Sequence, residues 1–172
     1  MRVALDLVPD PNTAPARRER ALLYQDIGSA RMQRRDLNGA LAAYRQALEI
    51  NRELAGNGGD AQAERDLAAV CDKVAYGELL CRRPHEAIAM AVEGLAIDPR
   101  QVRLKTTLAH GYLFANQFDR AKAIYREYQT SQVDDRQSFA DAVLADFKEF
   151  RARGLRHPDM AKIERLLSPG RK

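Results

Sequence analysis

The sequence predicts an all-α protein built from antiparallel helix pairs. Three observations lead there. Apolar residues recur at three- and four-residue spacing, proline and glycine cut the chain into segments of helical length, and no five-residue stretch reads as a strand. The chain has 172 residues, 45% hydrophobic and 30% charged, with a mean hydropathy of −0.49. That balance fits one globular domain or one array of small repeated units. No apolar run approaches the roughly 20 residues that span a bilayer, so no membrane partner is expected. Met1-Arg2-Val3-Ala4-Leu5-Asp6 places an acid where a secretory signal carries apolar residues, and a cytoplasmic location is expected.

Residues 1–16 hold Pro9, Pro11 and Pro15 and are expected to be irregular after Leu7. From Arg17 to Arg35, Leu22, Leu23, Ile27, Ala30 and Met32 recur at helical spacing. Leu37, Leu41, Tyr44 and Leu48 then give a second helix one apolar face. Asn57-Gly58-Gly59-Asp60 is the clearest break, with Gly56 just before it, and a helix is expected over 61–82. Pro84 opens the next helix at a tolerated first-turn position, and Asp98-Pro99 stops it. Further helices are expected over 101–115 and 117–131. Phe139, Val143, Phe147 and Phe150 then mark an amphipathic helix over 136–153, ended by Gly154, and Pro158 starts a last short helix through Leu167. Cys71 and Cys81 fall on one predicted helix about 15 Å apart, too far for a disulfide, and read as small core or groove residues.

Self-comparison finds a repeat. The segment from Asn38 to Ile50 aligns without a gap onto His85–Ile97, and its first part onto Asp119–Tyr128. Ala87 and Ala121 are 34 residues apart, Ala40 and Ala87 are 47 apart, and small residues (Gly28, Ala75, Ala109) stand twelve positions before each alanine. This pattern resembles the tetratricopeptide repeat family, whose unit is a 34-residue helix–turn–helix. Gly28, Ala40, Tyr44 and Ala47 match its first unit, Ala75, Ala87 and Pro99 its second, and Ala109, Tyr112, Ala121 and Tyr125 its third. Tyr24 stands in place of the usual tryptophan, Ala91 in place of an aromatic, and Gly94 and Tyr128 in slots usually given to alanine. The 13 extra residues between the first two units are expected to lengthen both flanking helices, somewhat as in kinesin-light-chain-type repeats. Val3 to Pro9 resembles the end of a repeat, as though the chain were cut from a longer array or lay beside other domains.

The resemblance implies a right-handed superhelix over residues 17–131, made of three hairpins. Residues 1–16 precede it as an irregular segment, and 132–172 follow as a capping helix, a short final helix and a tail. A terminal helix covers the apolar face that a repeat array leaves open; the alternative is a helix that docks on a partner. Small residues at Gly28 and Ala40 are expected to let backbones approach, with Tyr44 filling the space between one pair and the next.

The family's groove-facing slots fall on Gln25, Ser29 and Met32 in the first unit and Asp72, Tyr76, Leu79 and Leu80 in the second. In the third they fall on Arg103, Thr106, His110, Leu113 and Phe114. Tyr76 and Phe114 are the candidate anchors, while Leu79, Leu113 and Phe114 read equally well as core. The implied function is a non-catalytic module that binds a peptide or protein segment in its concave groove. The alternative is a structural or self-associating segment of a larger protein. Chaperone C-terminal tails are disfavoured, because Gln25, Ser29 and Thr107 replace the Lys, Asn and Arg of the two-carboxylate clamp.

Catalytic chemistry finds no support. His85, His110 and His157 have no second ligand at metal-binding spacing, and no Walker A loop, dinucleotide fingerprint, nucleophile elbow or zinc-protease pair occurs, so neither metal nor cofactor is expected. Arg17, Arg18, Arg20, Arg31, Arg34 and Arg35 face only Glu19 and Asp26, but without interleaved aromatics nucleic acid is disfavoured.

Overall fold

The computed structural model describes residues 10–56 and 60–168. The Val3–Pro9 segment and the Asn57-Gly58-Gly59 part of the central break lie outside the described residues, as do 169–172. The described chain is all-α, with eight helices: α1 (Ala14–Gln33), α2 (Leu37–Gly56), α3 (Ala61–Leu80), α4 (Pro84–Ile97), α5 (Val102–Phe114), α6 (Phe118–Tyr128), α7 (Phe139–Ala152) and α8 (Met160–Leu167). Consecutive helices pack in a helical-repeat arrangement. The chain forms two compact units that divide within α3, between Val70 and Cys71.

In the first unit α1 lies along α2. Gly28 has no side chain, so the Tyr44 ring sits against the α1 backbone, where a Cβ would stand 2.9 Å from its Cζ. Its hydroxyl shares a 3.2 Å hydrogen bond with the Ser29 hydroxyl. The ring thus fills space within its own pair. Ala21, Ile50, Leu54 and Ala63 form a small core, with Tyr24 packed against it. Helix α1 starts at Ala14, earlier than expected, because Thr13 accepts a hydrogen bond from the Ala16 amide (3.4 Å) and Pro15 suits a first turn. Arg17 pairs with Glu53, and Arg18 with Asp60 and Asp66. Helices α2 and α3 have 20 residues each, against 14, 13 and 11 in α4, α5 and α6, so the insertion is carried as helix length.

In the second unit α4 packs on α5, α5 on α6, α7 on α5, and α8 on both α6 and α7. Two glycines set the closest approaches. A Cβ on Gly94 would meet Leu104 at 2.6 Å and Cys71 at 2.9 Å, and one on Gly111 would meet Ile88 at 2.8 Å. Ala75, Ala87, Ala109 and Ala121 are fully buried.

A structural repeat accompanies the alanine repeat. Arg35, Arg82 and Asn116, each five positions before Ala40, Ala87 and Ala121, adopt left-handed backbone with φ of 63°, 61° and 60°. The amide after each reaches back to close the preceding helix: Asp36 to Arg31 O (3.0 Å), Arg83 to Glu78 O (2.9 Å) and Gln117 to Tyr112 O (2.8 Å). This is the Schellman closure that glycine usually supplies. Gly154 (φ 74°) repeats it after α7, with the Leu155 amide on Phe150 O at 2.8 Å. Arg82 donates to Gly154 O (2.9 Å) and Asn116 bonds His157 (3.2 Å), so two of these turns are clipped to the segment after α7.

Helix α7 begins at Phe139 and not near 136. Residues 131–138 close on themselves through an isolated Gln132–Ser138 bridge and a Phe139 amide bond to Ser131 O (2.9 Å), and Ser138 caps the helix through the Asp141 amide (3.1 Å).

Replacing Gly28 by Val drives a branched side chain into the Tyr44 ring and is expected to lower the unfolding free energy by about 1–3 kcal/mol. Arg35→Gly should raise it by about 0.5 kcal/mol, since relief of left-handed strain exceeds the entropy that glycine adds to the unfolded chain. Urea titration of the two variants beside the parent protein measures both.

Candidate functional site

Helix α5 turns Arg103, Thr106, Thr107, His110, Leu113 and Phe114 towards two neighbours, because residues three, four and seven apart share a helix face. The second half of α3 contributes Asp72, Tyr76, Leu79 and Leu80 to the same unit. Helix α7 completes the site by laying Asp146, Phe147, Glu149 and Phe150 over these side chains.

The centre is Asp146, which is 5% exposed. Its carboxylate accepts from the Arg103 guanidinium at 3.0 Å and from His110 Nε2 at 3.2 Å. Since the carboxylate can only accept, Nε2 carries the proton, and the neutral ring accepts from the Tyr125 hydroxyl at Nδ1 (2.7 Å). A phenol, an imidazole and a carboxylate are thus connected in series. Tyr125 and His110 have no exposed surface, and the relay ties α7 to α5 and α6.

Arg103 also faces Asp72, with Nε 3.8 Å from its carboxylate, and Thr107 donates to Asp72 at 2.6 Å. Tyr76 donates to Glu149 at 2.8 Å, and its ring lies 5.7 Å below the Arg103 guanidinium and 5.6 Å from Phe150. Around the charges is an aromatic cluster: His110 stands 5.3 Å from Phe147 and 5.1 Å from Phe150, and Phe114 stands 5.4 Å from Phe150.

Burial and pairing act in opposite senses on these groups. Burial alone pushes the Asp146 carboxyl up, but the His110 hydrogen bond and the Arg103 charge outweigh it and hold the group below its ordinary value. For Asp72 burial prevails over Arg103 and Thr107, so its pKa is raised. Burial lowers His110, and also His157 at the end of the site. Burial, followed by the neighbouring carboxylates, raises Tyr76 far above its usual value.

The structure brings Asp72, Tyr76, Arg103, Thr106, His110, Leu113 and Phe114 together, with Leu79 and Leu80 buried in the same unit. Of these, Tyr76, Arg103, His110 and Phe114 are contacted by α7 of the same chain. Thr106 is fully buried and bonds the Val102 carbonyl at 3.3 Å. Gln25, Ser29 and Met32 belong to the other unit, on α1: Gln25 is buried, Met32 is half-buried, and Ser29 bonds the Gln25 carbonyl at 2.9 Å. Sequence reasoning missed Asp146, Glu149 and Tyr125 as members of the cluster. The available signal was Asp146 itself, a charged residue three positions after Val143 and four before Phe150 on an otherwise apolar face.

Neither cysteine forms a disulfide; Cys71 is buried and Cys81 half-buried. Among the described residues no group of three or more His, Cys, Asp or Glu side chains is placed to hold a metal, and no helix is long and apolar enough to cross a membrane. No known protein family matches the chain, and none of the curated proteins compared with it is similar.

Removing Asp146 leaves Arg103 and His110 without their shared acceptor, so Asp146→Ala should cost about 3 kcal/mol in chemical denaturation. Replacing Arg103 by Met in the same variant should not recover that loss, because Asp72 then loses the guanidinium that stands 3.8 Å from its carboxylate. The sign of the pH response follows from His110. Its folded-state value lies below the unfolded value of about 6.5, so its contribution is present above that pH and is lost as pH falls through the lowered value. The thermal midpoint should therefore decline below about pH 6.5. His157→Gln should flatten the decline slightly, and His110→Gln on that background should flatten it further.

Proposed function

We propose that the chain is a non-catalytic protein–protein interaction module of the tetratricopeptide class, which binds a peptide or protein segment on the inner faces of its first helices. One observation carries this reading. The slots of α5 and α3 accept α7, an amphipathic helix that presents an acid among phenylalanines to an arginine, a histidine and a tyrosine. A surface that holds such a helix within its own chain has the chemistry to hold one from a partner. The repeated alanines, the close glycines and the repeated left-handed turns support the family reading.

Gln25, Ser29 and Met32 are the slots through which a partner segment is engaged in the first unit. A partner at Tyr76 and Phe114 would have to displace α7. The work is that of a scaffold or adaptor, and two unbridged thiols support a cytoplasmic location. One observation favours the alternative, self-association: Leu22, Leu23 and Ile27 are 50%, 57% and 44% exposed on α1, an apolar stripe that a second copy or a neighbouring domain would cover.

A photo-crosslinking residue at Met32, compared with one at the exposed Val92 of α4, tests the proposal. Attachment of a different protein from Met32 alone is the expected result. Attachment from Val92 alone would move the site elsewhere, and attachment of a second copy of this chain would favour the alternative. Light scattering at two concentrations checks the latter directly: a mass that rises with concentration, and stops rising in Leu23→Glu with Ile27→Glu, identifies the stripe as the contact.

A further inference from the structure

Helices α6 and α8 pack against each other in the second unit and leave an open groove of about 370 Å3 between them. Phe118, Ile163 and Leu166 give it an apolar floor, and Lys122, Lys162 and Arg165 stand around it. The volume lies near the lower end of the range of about 300–1,000 Å3 typical of ligand sites, enough for a large side chain and not for a folded element.

The charges are unevenly met. Lys162 bonds Asp159 at 2.6 Å, and Arg165 spends one N–H on the Ala161 carbonyl at 3.2 Å. Glu164, the acid nearest along α8, is held in a two-point pair by Arg151 at 2.6 and 2.8 Å. No carboxylate of the described residues pairs with Lys122 or Arg165. Both are exposed, and Asp119 is the acid that α6 carries in its first turn. The groove therefore combines an apolar floor with unspent positive charge.

The occupant follows from Phe118. The Lys122 and Lys162 ammonium groups lie 5.9 and 5.1 Å from its ring centroid, so positive charge borders the apolar floor and favours an acidic partner. We infer that this groove docks an acidic peptide segment, seating one large apolar side chain on Phe118 and Leu166 and its flanking carboxylates on Lys122 and Arg165. Like charges on the partner are excluded by the same cations. The site shares no residue with the inner-face slots on α1, α3 and α5, so either can fail without the other.

Fluorescence anisotropy with a short labelled peptide alternating glutamate and leucine tests the inference. It should bind the full chain, weaken as salt is raised, and bind at least about tenfold more weakly to Lys122→Glu with Arg165→Glu. A glutamate–serine peptide of the same length should bind weakly to both proteins, and a lysine–leucine peptide to neither. Circular dichroism of the variant should match the parent; if it does not, Lys122→Gln with Arg165→Gln serves instead. Equal binding of the leucine and serine peptides, or leucine-peptide binding unchanged in the charge variant, overturns the inference. So does tighter binding of a single-stranded oligonucleotide or an anionic vesicle, or a concentration-dependent mass abolished by the charge reversal.

Discussion

The hairpins of this chain reverse on a residue in left-handed backbone five positions ahead of a buried alanine. At Arg35, Arg82 and Asn116 the following amide returns to a carbonyl in the last turn of the helix, so direction changes without leaving that carbonyl unpaired. The alanine then enters the returning helix with no exposed surface. Each element supports the other. The turn sets the angle at which the second helix departs, and the small residue permits the distance that the angle imposes. Side chains with no glycine freedom accept the strain, and two of them are reused: Arg82 and Asn116 reach the turn after α7.

The same economy governs the cluster beneath α7. An apolar helix could pack on α5 in several registers, since phenylalanines are interchangeable to within a helical turn. Asp146 removes that freedom. Only one register places its carboxylate between Arg103 and His110, and displacement by one residue would bury a charge without acceptor or donor. The Tyr125 hydroxyl extends the constraint to α6 through the imidazole, so one carboxylate aligns α5, α6 and α7.

The helix count among the described residues and the lengthened α2 and α3 were legible in the sequence, because apolar spacing acts locally. The early start of α1 was hidden by Pro15, which reads as a breaker unless Thr13 is recognised as its cap. The late start of α7 depends on the 131–138 loop, whose closing bonds join residues that carry no pattern. Left-handed turns escaped notice because arginine and asparagine stand where glycine would have announced them. The slots of α3 and α5 could be named from the sequence, but what covers them was not legible. Phe139, Val143, Phe147 and Phe150 record that α7 has an apolar face, and nothing in their spacing records where that face goes.

The approach of α4 to Cys71 has a chemical consequence. Gly94 leaves so little room that a Cβ there would stand 2.9 Å from the Cys71 Cβ, and the thiol has no exposed surface. An alkylating reagent or peroxide therefore meets Cys81 first, while Cys71 becomes reactive only when the helices part. Sulfur chemistry at these two positions supplies a built-in clock, one hand reporting exposure of the folded surface and the other the opening of the interior.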